Sequence, residues 1–211
     1  MNTEDRARVG QQRSEAYWFL SKLYANPLDA HVINRLALVA SQESGENGFA
    51  EDIFAVFREA EDRQELATRL AVEHTRLFCG ISEEYGPPPP YESLWREGQL
   101  MGESTVQVAT FYLQAGYKLN EEFSPCDHLV EELRFMATLC NEEIEAGKEA
   151  QAENMRQARE LQRRFLDEHL MAWVGKYCQR IANESKEPLY QALSRITMTV
   201  LEQDARQLRE D

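Results

Sequence analysis

The sequence has little positive charge and no long apolar run. Its 23 lysine and arginine residues stand against 37 aspartate and glutamate residues, which gives a formal net charge of −14. DNA, RNA and anionic membranes are therefore poor candidate partners, because binding to phosphate depends on cationic side chains. No run approaches the roughly 18 apolar residues of a membrane span, and the first thirty residues lack the pattern of a secretion signal. We expect a soluble, cytoplasmic protein with no stable membrane insertion.

Motifs that would carry catalysis or metal binding are also missing. Four cysteines are scattered without the C-x-x-C spacing of a zinc or redox site, so we expect free, buried thiols. The sequence has no H-E-x-x-H, and no histidine follows a carboxylate by three positions, as in di-iron helical bundles. It has no glycine-rich phosphate-binding loop and no G-x-S-x-G elbow. We predict no catalytic residues, no metal site and no cofactor, and a binding protein rather than an enzyme.

What the sequence does have is apolar residues at helical spacing along almost its whole length. Typical runs are Tyr17, Leu20 and Tyr24; Leu66, Leu70 and Leu77; and Leu129, Leu133 and Met136. Strand-like alternation is nearly absent, and the one β-leaning run, 105–112, also fits a helix face. The pattern predicts an all-α, bundle-like fold of about eight or nine helices. The length of 211 residues favours a single domain over residues 1–211.

Residues that cannot continue a helix mark the predicted boundaries. Pro27 and Pro188 are expected to fall at such breaks, because proline disrupts the helix interior. Gly116 follows an apolar stretch in the way a C-terminal capping glycine does. We therefore predict that helices end or begin at these three positions.

Two segments near the middle of the chain stand out from the helical pattern. Residues 80–91 contain four consecutive prolines at 87–90, which predicts an exposed, stiff loop with a polyproline-like path. Farther on, the order of Ser124, Pro125 and Asp127 predicts the start of a helix, with Ser124 as its N-cap and Asp127 three residues later.

Five strings along the chain resemble the hallmark motifs of one protein family. They are E-H-T-R-L-F-C-G at 73–80, P-Y-E-S-L-W at 90–95, S-P-C-D-H-L-V-E-E-L-R-F-M at 124–136, F-L-D-E-H-L-M-A-W at 165–173 and P-L-Y-Q-A-L at 188–193. In this order they are similar to the motifs of the TorD/DmsD family of redox-enzyme maturation chaperones. The resemblance covers most of the chain.

The resemblance implies a partner as well as a fold. Such a chaperone binds the twin-arginine leader and the catalytic subunit of a molybdopterin oxidoreductase, and assists cofactor insertion and proofreading before export. Components of the Tat system or of cofactor biosynthesis are further expected partners. A leader with two arginines and an apolar stretch needs acidic groups beside an apolar groove, and an acidic chain with an aromatic, proline-rich loop supplies both.

The motif residues that the family places around its leader pocket map onto eight positions. As the resemblance implies, the leader-binding residues are Leu77, Phe78, Tyr91, Glu92, Ser93, Trp95, Asp127 and His128.

Other interpretations of these residues stay open. Asp127 could simply cap a helix, and Leu77 and Phe78 could be core residues. One alternative function is a nucleotide-binding or nucleotide-hydrolysing enzyme on a helical scaffold, with Glu92, Asp127 and His128 as acid–base groups. Another is a structural adaptor of an export complex. Binding of guanine nucleotide, associated with some family members, stays undecided.

Overall fold

Most residues of the computed structural model lie in helices; it describes residues 3–42, 51–82, 84–118 and 125–210. The helices are α1 Thr3–Ala25, α2 Ala30–Gln42, α3 Glu51–Arg58, α4 Arg63–Phe78, α5 Glu92–Glu97, α6 Glu103–Gln114, α7 Leu129–Lys148, α8 Ala152–Phe165, α9 Met171–Glu184 and α10 Pro188–Glu210. A π-helical turn, Leu166–Leu170, joins α8 to α9 without a break, so the described ranges contain nine separate helical rods. The all-α prediction and the predicted helix number are confirmed.

The predicted helix boundaries at three breakers agree with the structure. Helix α1 ends two residues before Pro27, and Pro188 is the first residue of α10, where its missing amide hydrogen is not needed. Gly116 has φ of 75° just after α6. Its N–H donates to the carbonyl of Leu113 at 3.1 Å, and the N–H of Tyr117 donates to that of Tyr112 at 2.8 Å. These two hydrogen bonds close the helix end in a left-handed cap, which glycine adopts without strain.

The chain divides into two compact units. The first consists of Met1–Lys22, Pro90–Gly175 and Thr199–Asp211, and the second of Leu23–Pro89 and Lys176–Met198. Helices α1, α9 and α10 contribute residues to both. The prediction of one domain over residues 1–211 stays a prediction.

The core of the first unit contains a cluster of aromatic rings from α6, α7 and α8. The ring centroids of Tyr112 and Phe135 are 4.4 Å apart, those of Phe135 and Phe165 4.7 Å, and those of Phe111 and Phe165 5.2 Å. Tilted and edge-to-face pairs of this kind add about 0.5–1.5 kcal/mol each beyond the burial of their area. They fix α6 against α7 and α8.

A buried polar network lies in the same unit. The Arg13 guanidinium donates hydrogen bonds to Asp204, Glu143 and Gln162, and the Tyr17 hydroxyl donates to Asp204. Arg13, Asp204, Glu143 and Gln162 are all buried. The network ties α1 to α7, α8 and α10 through ionic side chains rather than apolar ones.

The second unit has its own aromatic core around the end of α4. Phe78 packs edge-on against Tyr24, His74 and Tyr190, with ring centroids 5.4, 4.8 and 5.2 Å away. Leu77 is completely buried. Burial of this size stabilises the unit through the hydrophobic effect, at about 1.5–3 kcal/mol for each large apolar side chain.

The prediction that the whole proline loop is exposed is wrong. Pro87 is buried and Pro89 is half-buried, because the loop packs tightly in the second unit. A Cβ on Gly86 would lie 1.9 Å from the Arg76 carbonyl oxygen, and one on Gly80 would lie 2.6 Å from the Pro89 ring. Because they lack a Cβ, Gly86 lets the loop approach the backbone of α4, and Gly80 lets the chain approach Pro89. The four prolines in the sequence did not indicate this close packing.

Two predicted absences can be compared with the described residues. No helix in these ranges has the length and apolar character needed to cross a membrane. The four cysteines are free, as predicted, but only Cys140 and Cys178 are buried, whereas Cys79 is exposed. The prediction that all four thiols are buried is therefore wrong for Cys79 and for Cys126, which is half-buried.

Candidate functional site

Two motif segments that are far apart in sequence pair as short extended chains in the first unit. Tyr91 and His128 form an antiparallel bridge, the only extended pairing within the described ranges. The Leu129 N–H donates to the Pro90 carbonyl at 2.9 Å, and the Glu92 N–H donates to the Asp127 carbonyl at 2.9 Å. The bridge brings together five of the eight predicted site residues: Tyr91, Glu92, Ser93, Asp127 and His128.

Asp127 caps a helix, but not the helix that the sequence predicted. Helix α7 begins at Leu129, so Asp127 precedes it and the predicted position three residues after an N-cap is wrong. The predicted N-cap, Ser124, lies outside the described residues. The Asp127 carboxylate instead accepts from the Ser93 N–H at 2.9 Å, in the first turn of α5. It supplies the cap that Tyr91, at the start of α5, does not provide.

His128 is the N-cap of α7. Its Nδ1 accepts a hydrogen bond from the Val130 N–H at 3.2 Å, so the ring is neutral and carries its hydrogen on Nε2. Burial lowers the pKa of His128 to about 4, although the Asp127 carboxylate opposes this effect. The imidazole is thus a hydrogen-bond acceptor over the whole neutral range.

Replacing His128 by asparagine is expected to remove one source of acid sensitivity. In the unfolded chain His128 takes up a proton near pH 6.5, whereas in the folded chain it does so near 4, so folding is opposed as the pH falls between these values. From about pH 7 to about pH 5 the wild type should lose about 2 kcal/mol more stability than His128→Asn. Asparagine keeps a capping side chain but does not titrate. Urea unfolding at both pH values measures the difference, and an equal loss in both proteins would contradict the assignment.

Glu92 lies at the centre of a buried ionisable cluster below this bridge. Its side chain has no exposed surface. Its carboxylate is 2.9 Å from Nδ1 of His169 in the π-helical turn, and it accepts a hydrogen bond from Arg96 one turn along α5. The Glu92 carboxylate therefore has charged and polar partners within the protein.

A second carboxyl group, that of Glu132 on α7, belongs to the same cluster. Its Oε2 accepts a hydrogen bond from the Trp173 indole N–H at 3.1 Å. Burial, followed by the neighbouring Glu92 carboxylate, raises the pKa of Glu132 well above its usual value. Both causes disfavour the charged form of the carboxyl group, so the folded protein favours the neutral form of Glu132.

Aromatic side chains lie next to this buried cluster and form the surface of the candidate site. The Tyr91 and His128 ring centroids are 4.8 Å apart in an edge-to-face arrangement, and both side chains are half-buried. Trp95, one helical turn after Tyr91, is half-buried as well. The three side chains offer aromatic surface on a support whose positions are fixed by caps and buried hydrogen bonds.

The remaining two predicted site residues belong to the second unit. Leu77 and Phe78 are buried there in the aromatic core of α4. Sequence reasoning also missed three members of the cluster in the first unit: Glu132, His169 and Trp173. All three lie in strings that the family resemblance quoted, 124–136 and 165–173, and for Glu132 the local signal was a charge inside an apolar helical run.

The arrangement suits holding a surface in place better than acid–base turnover. Glu92 and Asp127 are sealed from solvent, and His128 is occupied by Val130. Within the described residues no group of three or more histidine, cysteine or carboxylate side chains is placed to hold a metal ion.

Comparisons with known proteins show which proteins this chain resembles. The family model described as nitrate reductase delta subunit matches residues 40–179. The TorD chaperone protein of Vibrio cholerae serotype O1 (strain M66-2) is 26% identical, over 93% of this chain and 91% of its own. That of Shewanella pealeana is 26% identical, over 96% and 92%. A crystal structure of a candidate redox enzyme maturation protein from Archaeoglobus fulgidus shares the fold, with a TM-score of 0.55, 21% identity and coverage of 90% and 93%.

Fold and site together describe an all-helical protein with half-buried aromatic side chains next to a buried cluster of ionisable groups. The chain belongs to the nitrate reductase delta subunit family. It is a TorD-like chaperone of redox-enzyme maturation, and the resemblance seen in the sequence is confirmed. The relatives are named as chaperones, so the chain is a chaperone and the alternative of a nucleotide-hydrolysing enzyme is not retained.

Proposed function

We propose that this chaperone binds the twin-arginine leader and the apoprotein of a molybdenum-cofactor oxidoreductase in the cytoplasm. Binding would keep the catalytic subunit from export until its cofactor is inserted, which is a proofreading role. Components of the Tat system or of cofactor biosynthesis would then take over the client. Membership of the family and the net charge of −14, which attracts a cationic leader, support this proposal.

The observation that carries the proposal is the pairing of the two motif segments. It places the half-buried Tyr91 and His128 rings side by side, next to the buried carboxylates of Glu92 and Asp127. We propose that Tyr91, Trp95 and His128 contact the leader directly. Glu92, Ser93 and Asp127 would act as positioning residues, because they are buried and fix α5 and the bridge. Leu77 and Phe78 are buried as well, in the core of the second unit, and we propose that they support leader binding by fixing the end of α4.

A synthetic twin-arginine leader is expected to bind the purified protein, as measured by isothermal titration calorimetry. Changing both arginines of the leader to glutamine should weaken binding, and so should added salt, which screens the charges. Tyr91→Ala should weaken binding about tenfold, the usual scale for truncating an aromatic anchor.

Tyr85→Ala is the matched control, because Tyr85 is an exposed tyrosine of the second unit and has no part in the bridge. It should bind like the wild type. If no leader from any molybdoenzyme binds the wild type, the proposed function is wrong.

A further inference from the structure

A groove runs along α6 on the first unit, opposite the helical run formed by α8 and the π-helical turn. Its cavity has a volume of about 370 Å³. Its walls are formed by Glu103, Val106, Gln107, Thr110, Phe111 and Gln114 of α6 and by Arg164, Glu168 and His169 of the opposite run. Local departures from α-helical geometry such as this π turn occur often at functional sites.

An arginine side chain of the protein itself already sits in this groove. The Arg164 guanidinium lies 5.0 Å from the centroid of the Phe111 ring. Its Nε is 2.9 Å from one oxygen of Glu168, and a second nitrogen is 3.3 Å from the other oxygen. An aromatic face combined with a two-pronged carboxylate is the chemistry that recognises a guanidinium. The Phe111 ring and the Glu168 carboxylate therefore form a binding site for an arginine side chain within the groove.

Arg164 is bound only weakly in this site. Arg164 and Glu168 keep 40% and 49% of their side-chain surfaces exposed, and an exposed i, i+4 pair contributes little in water. A guanidinium from another molecule could take the same place with little loss to the fold. By contrast, Glu92 is sealed and already paired, so it offers an incoming arginine no surface.

The rim of the groove is apolar and exposed. Val106 and Leu113, two turns apart on α6, are 64% and 65% exposed. Val106 lines the groove, and Leu113 lies two turns farther along the same helix. The exposed large apolar side chains in the described part of the first unit are Trp18, Leu100, Met101, Val106 and Leu113. Clustered exposed apolar residues mark interaction surfaces. The carboxylate of Glu103 adds a second negative charge to the walls.

One wall of the groove is connected by hydrogen bonds to the motif segment that contains Glu92. His169 forms part of the groove wall, and its Nδ1 is 2.9 Å from the Glu92 carboxylate that lies below the Tyr91–His128 bridge. The Arg96 side chain of α5 also donates to the Glu168 carbonyl at 3.3 Å. The groove is thus an extension of the candidate site.

We infer that this groove binds an arginine side chain of a basic, amphipathic peptide, and that Arg164 is an internal competitor which the incoming arginine displaces. The guanidinium of the ligand would stack on Phe111 and pair with Glu168, while apolar neighbours would cover Val106 and Leu113. Identifying the peptide with the twin-arginine leader rests on the proposed function.

The decisive variant is Arg164→Ala, because it should tighten peptide binding. Removing the competitor frees the Phe111 face and the Glu168 carboxylate, which should raise the affinity for a leader peptide about three- to tenfold. Glu168→Gln keeps the shape but loses the charge, so it should weaken binding by a similar factor. Titration calorimetry measures both affinities, and thermal unfolding confirms that the variants are folded.

Arg163→Ala is the matched control for net charge. Arg163 precedes Arg164 on α8, is as exposed, and pairs with Glu160 and Asp167 rather than with the groove. It makes the protein one unit more acidic, as Arg164→Ala does, but should change affinity less than twofold. Equal effects of the two variants would mean that general electrostatic attraction is responsible, and would overturn the inference.

The apolar rim is tested by Val106→Ser with Leu113→Ser, against Val72→Ser, an exposed valine of the second unit. Only the rim variant should weaken binding. Every titration is repeated with an unrelated synthetic peptide that has two arginines beside leucines. If only this peptide binds and Arg164→Ala tightens it, the groove stands and the proposed function fails. If the leader binds but the groove variants change nothing, the reverse holds. If neither peptide binds, both are wrong.

Discussion

Replacing Arg13 by alanine is expected to lower the free energy of unfolding by about 3–5 kcal/mol, the usual loss when one partner of a buried ion pair is removed. Arg13 is buried, and its guanidinium is shared between two carboxylates, those of Asp204 and Glu143. Without it, Asp204 keeps only the Tyr17 hydroxyl as a partner from this network. Glu143 keeps Arg159 at 2.7 Å and Gln162 at 3.0 Å. The loss therefore comes chiefly from an uncompensated negative charge at Asp204.

Urea unfolding followed by tryptophan fluorescence measures this loss in the relevant part of the chain, because all three tryptophans, Trp18, Trp95 and Trp173, belong to the first unit. Arg8→Ala is the control on the same helix. The Arg8 side chain is 71% exposed and forms an exposed ion pair with Asp5 one turn earlier, so its removal should cost less than about 0.5 kcal/mol. Similar losses in both variants would show that the network contributes no more than a surface pair.

The sequence was a good guide wherever local chemistry decides the structure. Apolar spacing predicted the helices because one buried stripe per helix is a property of each segment alone. Pro188 and Gly116 marked helix ends because a missing amide hydrogen and a positive φ act within one turn. Asp127 shows where this logic fails. Its local spacing suggested a cap for the following helix, but the pairing with residues 90–92 turns its carboxylate to α5 instead.

The candidate site could be predicted only in part for the same reason. The family resemblance named Tyr91, Asp127 and His128, which the bridge does bring together. No local pattern reports that Glu132 and His169 converge on Glu92, because that depends on how α5, α7 and the π-helical turn pack. The buried Arg13 network joins side chains from four helices, α1, α7, α8 and α10, and no local pattern connects them.

The cluster around Glu92 leads to the second large effect, which is expected from Glu132→Gln. In the folded protein the pKa of Glu132 is raised well above its usual 4.5, first by burial and then by the Glu92 carboxylate. Between these two values the folded state holds a proton that the unfolded state has released. Stability therefore falls as the pH rises through this window, by about 1.4 kcal/mol for each pH unit.

Glutamine imitates the protonated form of Glu132 without this dependence. Its amide oxygen can accept the Trp173 N–H, and its amide group can donate to Glu92. Wild type and Glu132→Gln should therefore be about equally stable near pH 4.5 and diverge above it. At about pH 7.5 the variant should be the more stable of the two proteins. Unfolding curves over this pH range, again followed by tryptophan fluorescence, test the prediction.

Glu132→Leu separates the effect of charge from that of hydrogen bonding. Leucine cannot titrate, but it leaves the Trp173 N–H and the Glu92 carboxylate without this partner, which should cost about 1–3 kcal/mol at every pH. Its stability should thus show the flat pH profile of the glutamine variant at a lower level. If Glu132→Gln instead follows the wild-type profile, the pH dependence does not come from a proton held at Glu132, and the prediction is wrong.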